Sequence, residues 1–298
     1  MGHETETHKD GSGPRQGTDA SLHTWATRIE AMITSRQITL IDRVQVLAST
    51  ASTQDAARQY ASGATHLGPG VCVLAGVQTA GRGRLGRTWS DEQGLGLAMT
   101  LAIDPAWLAG SAVETLPIAI GLAACRACEM LIGRKHILGL RWPNDVVERG
   151  RAANGGGGRK VAGVLIERES RPDCGEVLLI GIGINVAQTR ADFPLALRDH
   201  AASLRMLTPD GAEPVSRLDA ACALLREVER SLLLSTADLR HAWTKRDVLL
   251  GTRRTFIHNG KPVTGMVEGI DPMSRILVRT NLGNIVSLPV LTTSMVHE

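Results

Sequence analysis

The chain reads Val71-Cys72-Val73-Leu74-Ala75-Gly76-Val77 and then, three residues later, Gly81-Arg82-Gly83-Arg84-Leu85-Gly86-Arg87. The first run is apolar throughout, which predicts a buried strand. The second alternates glycine with arginine. Glycine lets backbone N–H groups approach a ligand closely, and the arginine fork matches carboxylate and phosphate oxygens. The two runs together predict a core strand that leads into an anion-binding loop.

Strand-like and helix-like patterns mix along the rest of the chain. Short alternating or continuously apolar runs predict strands, and apolar residues at helical spacing predict helices. These patterns predict an α+β fold with a mixed sheet flanked by helices. The predicted strands lie at 41–47, 71–77, 94–103, 138–142, 161–168 and 176–185, and the predicted helices at 22–36, 52–61, 115–131, 217–234 and 237–247.

The pattern changes near Gly251. Short strands are predicted at 252–257, 262–270, 276–280 and 284–289, separated by turn residues. Closely spaced strands of this kind predict a small β-barrel. The domain organisation predicted is therefore a mostly disordered extension at 1–40, a main domain at 41–250 and a barrel at 251–298.

The charge and composition of the chain argue against some classes of partner and location. The formal net charge is only +3, from 33 basic and 30 acidic residues, so general attraction to nucleic acid or membrane is not expected. The polar N-terminus and the lack of a run of membrane-spanning length predict a cytoplasmic protein.

Cysteine and glycine clusters offer two further candidate sites. Cys125 and Cys128 form a CxxC, but its apolar helical surroundings predict buried, reduced thiols and no metal site. The glycine-rich segment 150–158 is predicted to be a flexible solvated loop, with a phosphate cradle as the alternative.

Four motifs now stand in order along the chain. They are Ser52-Thr53-Gln54, then Gln78-Thr79-Ala80 with the loop and Trp89, then Arg141-Trp142-Pro143-Asn144-Asp145 with Lys160-Val161-Ala162-Gly163-Val164-Leu165, and last Gly181-Ile182-Gly183-Ile184-Asn185-Val186. This set resembles the biotin protein ligases, whose typical strings are STN, QxAGRGRxGRxW, KWPNDV, KxxGIL and GxGxNV. The resemblance runs from about residue 41 to the C-terminus.

The resemblance implies a class II synthetase-like catalytic domain with an SH3-like C-terminal barrel. It implies that biotin and ATP form biotinyl-5′-AMP with Mg²⁺, and that a lysine of a biotin carboxyl carrier protein then displaces AMP. The carrier would belong to acetyl-CoA carboxylase or a related biotin-dependent carboxylase. Clustered cations suit this chemistry, because the first step brings two anions together.

Residue roles also follow from the resemblance. Asp145 is a hypothesis for assisting deprotonation of the attacking lysine. The catalytic set is Lys160, Arg84 and Asp145; the biotin-binding set is Ser52, Thr53, Gln54, Gln78, Arg82, Gly83, Arg84 and Lys160; the ATP- and adenylate-binding set is Arg82, Arg84, Arg87, Trp89, Asn144 and Asn185.

The sequence departs from the family strings at several positions. Gln54 replaces Asn, Arg141 replaces Lys, and Leu85 stands where many members have Arg or His. The interval between Asp145 and Lys160 is unusually long, which leaves the placement of Lys160 open.

Other interpretations remain. Ser52 or Thr53 could serve only as a helix cap, and Trp89 only as hydrophobic cover. The enzyme could be a lipoate or octanoate ligase, or the arginine loop could bind nucleic acid. Residues 1–40 are too short and polar for a winged helix-turn-helix, so the resemblance is to ligases without a DNA-binding domain and no DNA partner is predicted. The oligomeric state is open, with a homodimer among the alternatives.

Overall fold

A computed structural model of the protein describes residues 19–64, 67–91, 94–108, 112–150, 158–171, 175–271 and 275–296. Residues 1–18, the interior of the glycine segment (151–157), Cys174 and the last two residues lie outside this set. The helices are α1 (Asp19–Thr34), α2 (Thr53–Gly63), α3 (Ala112–Ile132), α4 (Leu204–Leu207), α5 (Arg217–Leu232) and α6 (Thr236–Thr244). The strands are β1 (Arg43–Thr50), β2 (Gly70–Arg82), β3 (Thr88–Asp91), β4 (Gly96–Ile103), β5 (Leu138–Arg141), β6 (Asp145–Glu148), β7 (Lys160–Arg171), β8 (Gly175–Asn185), β9 (Arg253–His258), β10 (Lys261–Ile270), β11 (Ile276–Thr280), β12 (Ile285–Leu288) and β13 (Thr293–Met295).

The main sheet has eight strands in the order β1-β2-β4-β8-β7-β6-β5, with β3 paired to β2. β1 and β2 run parallel, whereas the other neighbours are antiparallel. The predicted mixed sheet flanked by helices is therefore confirmed. Strand β2 is longer than the predicted run 71–77 because it continues through Arg82, where it pairs with β3.

Helix α3 forms the centre of the helical layer. Its residues are apolar on most sides, and it packs against α5, α6 and the strands beneath it. The segment Val113–Ile132 is long and apolar enough to cross a membrane, but 78% of its most apolar window is buried inside the protein. Both cysteines of the CxxC lie on this helix and are buried and unbridged, so α3 is a core helix.

Helix α1 lies within residues 1–40. Trp25, Ile29 and Met32 are buried in the same core as α3, and the Arg217 guanidinium lies 4.9 Å from the centre of the Trp25 ring. The folded part of the chain therefore begins before residue 41, because these apolar side chains are buried against the main domain and removed from water. Of the described residues before β1, 19–34 form this helix and 35–42 form turns and irregular structure.

The C-terminal strands form a separate sheet in the order β12-β11-β10-β9-β13. All of its pairs are antiparallel, which confirms a small β domain. Trp142 and Phe256 join it to the main domain through an edge-to-face contact with ring centres 5.9 Å apart. The contact places the start of the β domain beside the turn between β5 and β6.

Candidate active site

A cavity that is open to solvent lies on the main sheet, and its empty space, including the solvent at its mouth, is about 430 Å³. Helix α2 closes one end, and β4, β7 and β8 form the floor. Of the predicted site residues, the cavity is lined by Ser52, Thr53, Gln54, Gln78, Arg82, Trp89, Asn144 and Lys160. Gly83, Arg84, Arg87, Asp145 and Asn185 are not part of this lining.

The α2 end of the cavity is a buried hydrogen-bonded cluster. Ser52 caps α2 by accepting from the Gln54 amide at 3.2 Å, so the predicted cap is confirmed. The backbone N–H and hydroxyl of Thr53 donate to Gln78 Oε1 at 2.8 and 2.9 Å. Thr100 Oγ1 lies 2.9 Å from Thr53 Oγ1. This end of the cavity presents amide and hydroxyl groups whose orientation is fixed.

The side chain of Gln54 is one methylene longer than the Asn that it replaces, and its contacts explain how it fits. Its Nε2 donates to Leu179 O and to Glu167 Oε2, each at 3.1 Å, which turns Oε1 toward Thr100. A Cβ at Gly181 would lie only 2.5 Å from Gln54 Oε1. Glycine at this position therefore provides the room that the longer side chain needs.

Trp89 lines the cavity together with Lys160. Its ring lies against the sheet, where a Cβ at Gly183 would come within 2.4 Å of Cε2. Lys160 Nζ lies 5.4 Å from the ring centre, within the range of a cation–π contact. The buried Trp89 Nε1 has no hydrogen-bond partner among the described residues, so it can donate to a ligand.

Next to Lys160, one carboxylate binds two cations. Asp145 lies 2.6 Å from Lys160 Nζ and 3.1 Å from Arg141 Nη2. Burial alone would raise the pKa of Asp145, but Lys160 and Arg141 outweigh it and hold that pKa below its usual value. The group stays ionised, and the cluster retains one net positive charge.

Arg84 extends this positive region. It donates to Val290 O of the C-terminal domain at 2.6 Å. Burial lowers the pKa of Arg84, nearby Asp145 raises it and Arg87 lowers it further. Leu85 takes a positive φ of 56°, and the Gly83 amide donates to Arg87 O at 2.7 Å, so the loop is a tight hairpin tip between β2 and β3.

Arg82 is held on the other side of the cavity. Its Nη1 donates to Asp55 at 2.6 Å and its Nη2 to Glu167 Oε1 at 2.8 Å. Arg58 binds Asp55, Glu167 and Glu169. Both Nη groups of Arg82 are thus engaged by the protein's own carboxylates.

Two predicted asparagines bind backbone. Asn144 Nδ2 donates to Val164 O at 2.7 Å and fixes the turn into β6. Asn185 Nδ2 donates to Lys160 O at 3.2 Å and Ala202 O at 3.0 Å. Asn185 therefore orients the backbone that carries Lys160, and its adenylate contact stays a prediction.

In the described part of the chain, no three His, Cys, Asp or Glu side chains lie close enough together to hold a metal ion. Burial raises the pKa of Cys125 to about 12, so its thiol stays protonated.

Sequence reasoning missed several residues of this region. Thr100 carried a usable signal, because it is the one hydroxyl in the apolar strand β4. The roles of Asp55, Glu167 and Val290 had no local signal, since their partners lie far away along the chain.

Comparisons with known proteins identify the family of the chain. A family model described as "Biotin/lipoate A/B protein ligase family" matches residues 46–185. A biotin--[acetyl-CoA-carboxylase] ligase of Paracoccus denitrificans is 31% identical over 80% of this chain and 95% of its own length. The chain belongs to the biotin/lipoate A/B protein ligase family.

Two further family members extend the comparison. The biotin--[acetyl-CoA-carboxylase] ligase of Mycobacterium tuberculosis is 31% identical over 78% of this chain and 82% of its own length. The structure of the Aquifex aeolicus biotin protein ligase in complex with biotin and ATP is similar with a TM-score of 0.68 and 26% identity, and the match covers 87% of this chain and 100% of that one.

Proposed function

We propose that this chain is an ATP-dependent biotin–protein ligase. It activates biotin as biotinyl-5′-AMP and transfers the biotinyl group to a lysine of a biotin carboxyl carrier protein. The observation that carries the proposal is the make-up of the site: one cavity is lined both by the buried amide and hydroxyl cluster and by Lys160, whose ammonium is bound by Asp145. Arg84 lies close enough to Asp145 for the two charges to interact.

The amide and hydroxyl cluster favours biotin over lipoate within the family. The ureido ring of biotin has two N–H donors and a carbonyl acceptor, which the groups of Thr53, Gln54 and Thr100 can match. The dithiolane ring of lipoate has no strong donor or acceptor, so it could not use the hydrogen-bonding capacity that these oxygens retain beyond their bonds to one another.

In the first step, a biotin carboxylate oxygen attacks the α-phosphorus of ATP. A P–O bond forms, the bond to the bridging oxygen breaks, and pyrophosphate leaves with the electron pair. Lys160 and Arg84 place positive charge where the two anions meet and stabilise the charge that develops there. Arg141 and Asp145 hold the Lys160 ammonium in position.

In the second step, the neutral amine of the carrier lysine attacks the acyl carbonyl. The C–N bond forms, the acyl C–O bond to the phosphate breaks, AMP leaves with that electron pair, and the nitrogen gives up one proton to solvent water. Asp145 is poorly suited as the proton acceptor because its pKa is held low by Lys160 and Arg141. The geometry favours a role in orienting Lys160 instead.

Mg²⁺ fits this scheme as a companion of ATP. The carboxylate nearest the reacting groups, Asp145, is engaged by two cations, so the residues present do not form a protein cage for the ion. Mg²⁺ is commonly bound through substrate phosphates and water, which is what this site allows. A cytoplasmic location and a homodimer stay predictions.

The test is incorporation of labelled biotin into a biotin carboxyl carrier domain with ATP and Mg²⁺. We expect labelling by the wild-type protein that requires ATP, and a loss of at least about a hundredfold for Lys160→Ala. Lys245→Ala, on the exposed end of α6, is the control and should label normally. Acceptance of lipoate in place of biotin would overturn the proposal, and unchanged labelling by Lys160→Ala would remove Lys160 from it.

A further inference from the structure

Glu167 lies on β7 between the polar end of the cavity and the arginine loop. Its Oε2 accepts from Gln54 Nε2 at 3.1 Å, and its Oε1 accepts from Arg82 Nη2 at 2.8 Å. The two oxygens of one carboxylate therefore join a residue that lines the pocket to a residue of the loop. Arg58 Nη2 also donates to Oε2 at 2.6 Å and fixes the carboxylate from the α2 side.

The contact with Gln54 decides which way its side-chain amide faces. Because Nε2 is engaged by Glu167 and Leu179 O, the carbonyl oxygen must face Thr100. An amide that turned over would place an N–H where an acceptor now stands. The hydrogen-bonding character of the pocket thus depends on Glu167.

The contact with Arg82 fixes one arm of the loop. Arg82 pairs with Thr88 in the β2–β3 hairpin, immediately before the tip that carries Arg84. Asp55 and Glu167 engage one Nη group each, and a fork held at both ends has little freedom. The position of the hairpin tip therefore depends on these two carboxylates.

We propose that Glu167 is a positioning residue that couples the acyl pocket to the arginine loop, with Asp55 as its partner on the loop side. Arg82 then acts as an anchor rather than as a ligand of the adenylate phosphate. The substrate named for the pocket rests on the proposed function, whereas the anchoring of the loop does not.

Glu169 provides a matched control. It lies two residues further along β7, on the same face, and its carboxylate engages Arg58 Nε. Among the described residues, the side-chain contact of Glu169 is with Arg58 and not with Gln54 or Arg82. Glu169→Gln therefore removes a charge of the same kind from the same strand and leaves the coupling in place.

The first arm of the test needs no substrate. Amide hydrogen exchange of the full chain is measured at Gly83 and Arg87, whose N–H groups donate within the loop. We expect exchange about tenfold faster in Glu167→Gln and Asp55→Asn, and unchanged exchange in Glu169→Gln. Amides of β8 serve as the internal reference for intact folding.

The second arm is biotin-dependent ATP–pyrophosphate exchange. Glu167→Gln should raise the KM for biotin about tenfold, because it weakens the charge-assisted hydrogen bond that helps to orient the Gln54 amide, whereas Asp55→Asn should leave that KM within about twofold. Arg82→Gln combined with Glu167→Gln should slow the reaction no more than the larger single change, since the two residues act as one unit.

The outcomes separate the claims. Equal behaviour of Glu167→Gln and Glu169→Gln in the loop amides overturns the anchoring, whatever the substrate is. Additive effects of Arg82→Gln and Glu167→Gln, with a raised KM for ATP, would make Arg82 a phosphate ligand and overturn its role as an anchor. If the loop amides of the variants exchange as expected but the wild-type protein does not activate biotin, the anchoring of the loop stands and the proposed function is overturned.

Discussion

Two charged clusters flank the cavity, and they are built differently. On one side, Asp145 is shared by Lys160 and Arg141 and is largely buried. On the other side, Arg58 and Arg82 are shared among Asp55, Glu167 and Glu169, and the group is half-exposed. The first cluster has one positive charge in excess, and the second has one negative charge in excess.

The difference separates two tasks of cationic side chains. A cluster with excess positive charge and little water can stabilise a further anion, because the reduced screening strengthens the interaction. A cluster whose cations are already matched by carboxylates has no such capacity and instead fixes the elements that carry it. Two neighbouring arginines differ in this respect: Arg82 is matched by carboxylates, whereas Arg84 belongs to the region with excess positive charge.

The largest expected effect comes from Asp145→Asn. Without the carboxylate, Lys160 loses the partner that positions it, so we expect kcat for adenylate formation to fall about a hundredfold. The KM for ATP should not rise, since the cluster gains positive charge. ATP–pyrophosphate exchange measures both quantities. A kcat within about threefold of wild type would contradict the positioning of Lys160 by this carboxylate.

A second buried carboxylate sharpens the comparison because it lacks paired cations of this kind. Asp91 accepts from the Gly96 amide at 2.8 Å, and its Oδ2 has no partner among the described residues. Burial raises the pKa of Asp91 to about 6, against lowering by Gly96 and Arg217. The folded state therefore binds the proton more tightly than the unfolded state, and stability declines as the pH rises from about 4 to about 6.

Asp91→Asn should remove that decline. We expect the free energy of unfolding at pH 8 to rise by about 3 kcal/mol and to stay nearly unchanged at pH 4. Urea denaturation at the two pH values measures this, with the exposed Asp199→Asn as control. Asp145 has the opposite sign, since its lowered pKa gives stability that is present above the unfolded value and is lost on acidification below it. A variant that is less stable at pH 8 than wild type would show that the Asp91 charge is compensated.

The smallest effect is expected for Arg58→Gln in the negatively biased cluster. Three carboxylates lose a shared partner, but water screens them, so we expect a loss of about 1 kcal/mol in the free energy of unfolding. The loss should shrink in high salt, and kcat should stay within about threefold. Thermal unfolding at low and high salt tests this, and a hundredfold fall in kcat would place Arg58 in the reacting region.

The sequence predicted the helices and strands better than it predicted which residues contact one another. The core strands and the CxxC helix were recognised because their signals are local: apolar runs, helical spacing and turn residues. Strand β6 and the last strand, Thr293–Met295, were not predicted, because short strands are specified by the neighbour they pair with.

The site shows the same limit. The motifs identified Thr53, Gln78, Trp89 and Lys160 as one group, and the structure brings them to one cavity. The engagement of Arg82 by Glu167, 85 residues away, and of Arg84 by Val290, 206 residues away, depends on tertiary contacts that no local pattern contains.

The central claim is that the polar pocket selects biotin and that the positive cluster activates it. The most direct measurement is mass spectrometry of the acyl-adenylates formed when the protein is given ATP, Mg²⁺ and equal amounts of biotin and lipoate. We expect biotinyl-5′-AMP to exceed lipoyl-5′-AMP by at least about a hundredfold. Lipoyl-5′-AMP as the main product, or no adenylate of either acid, would contradict the account.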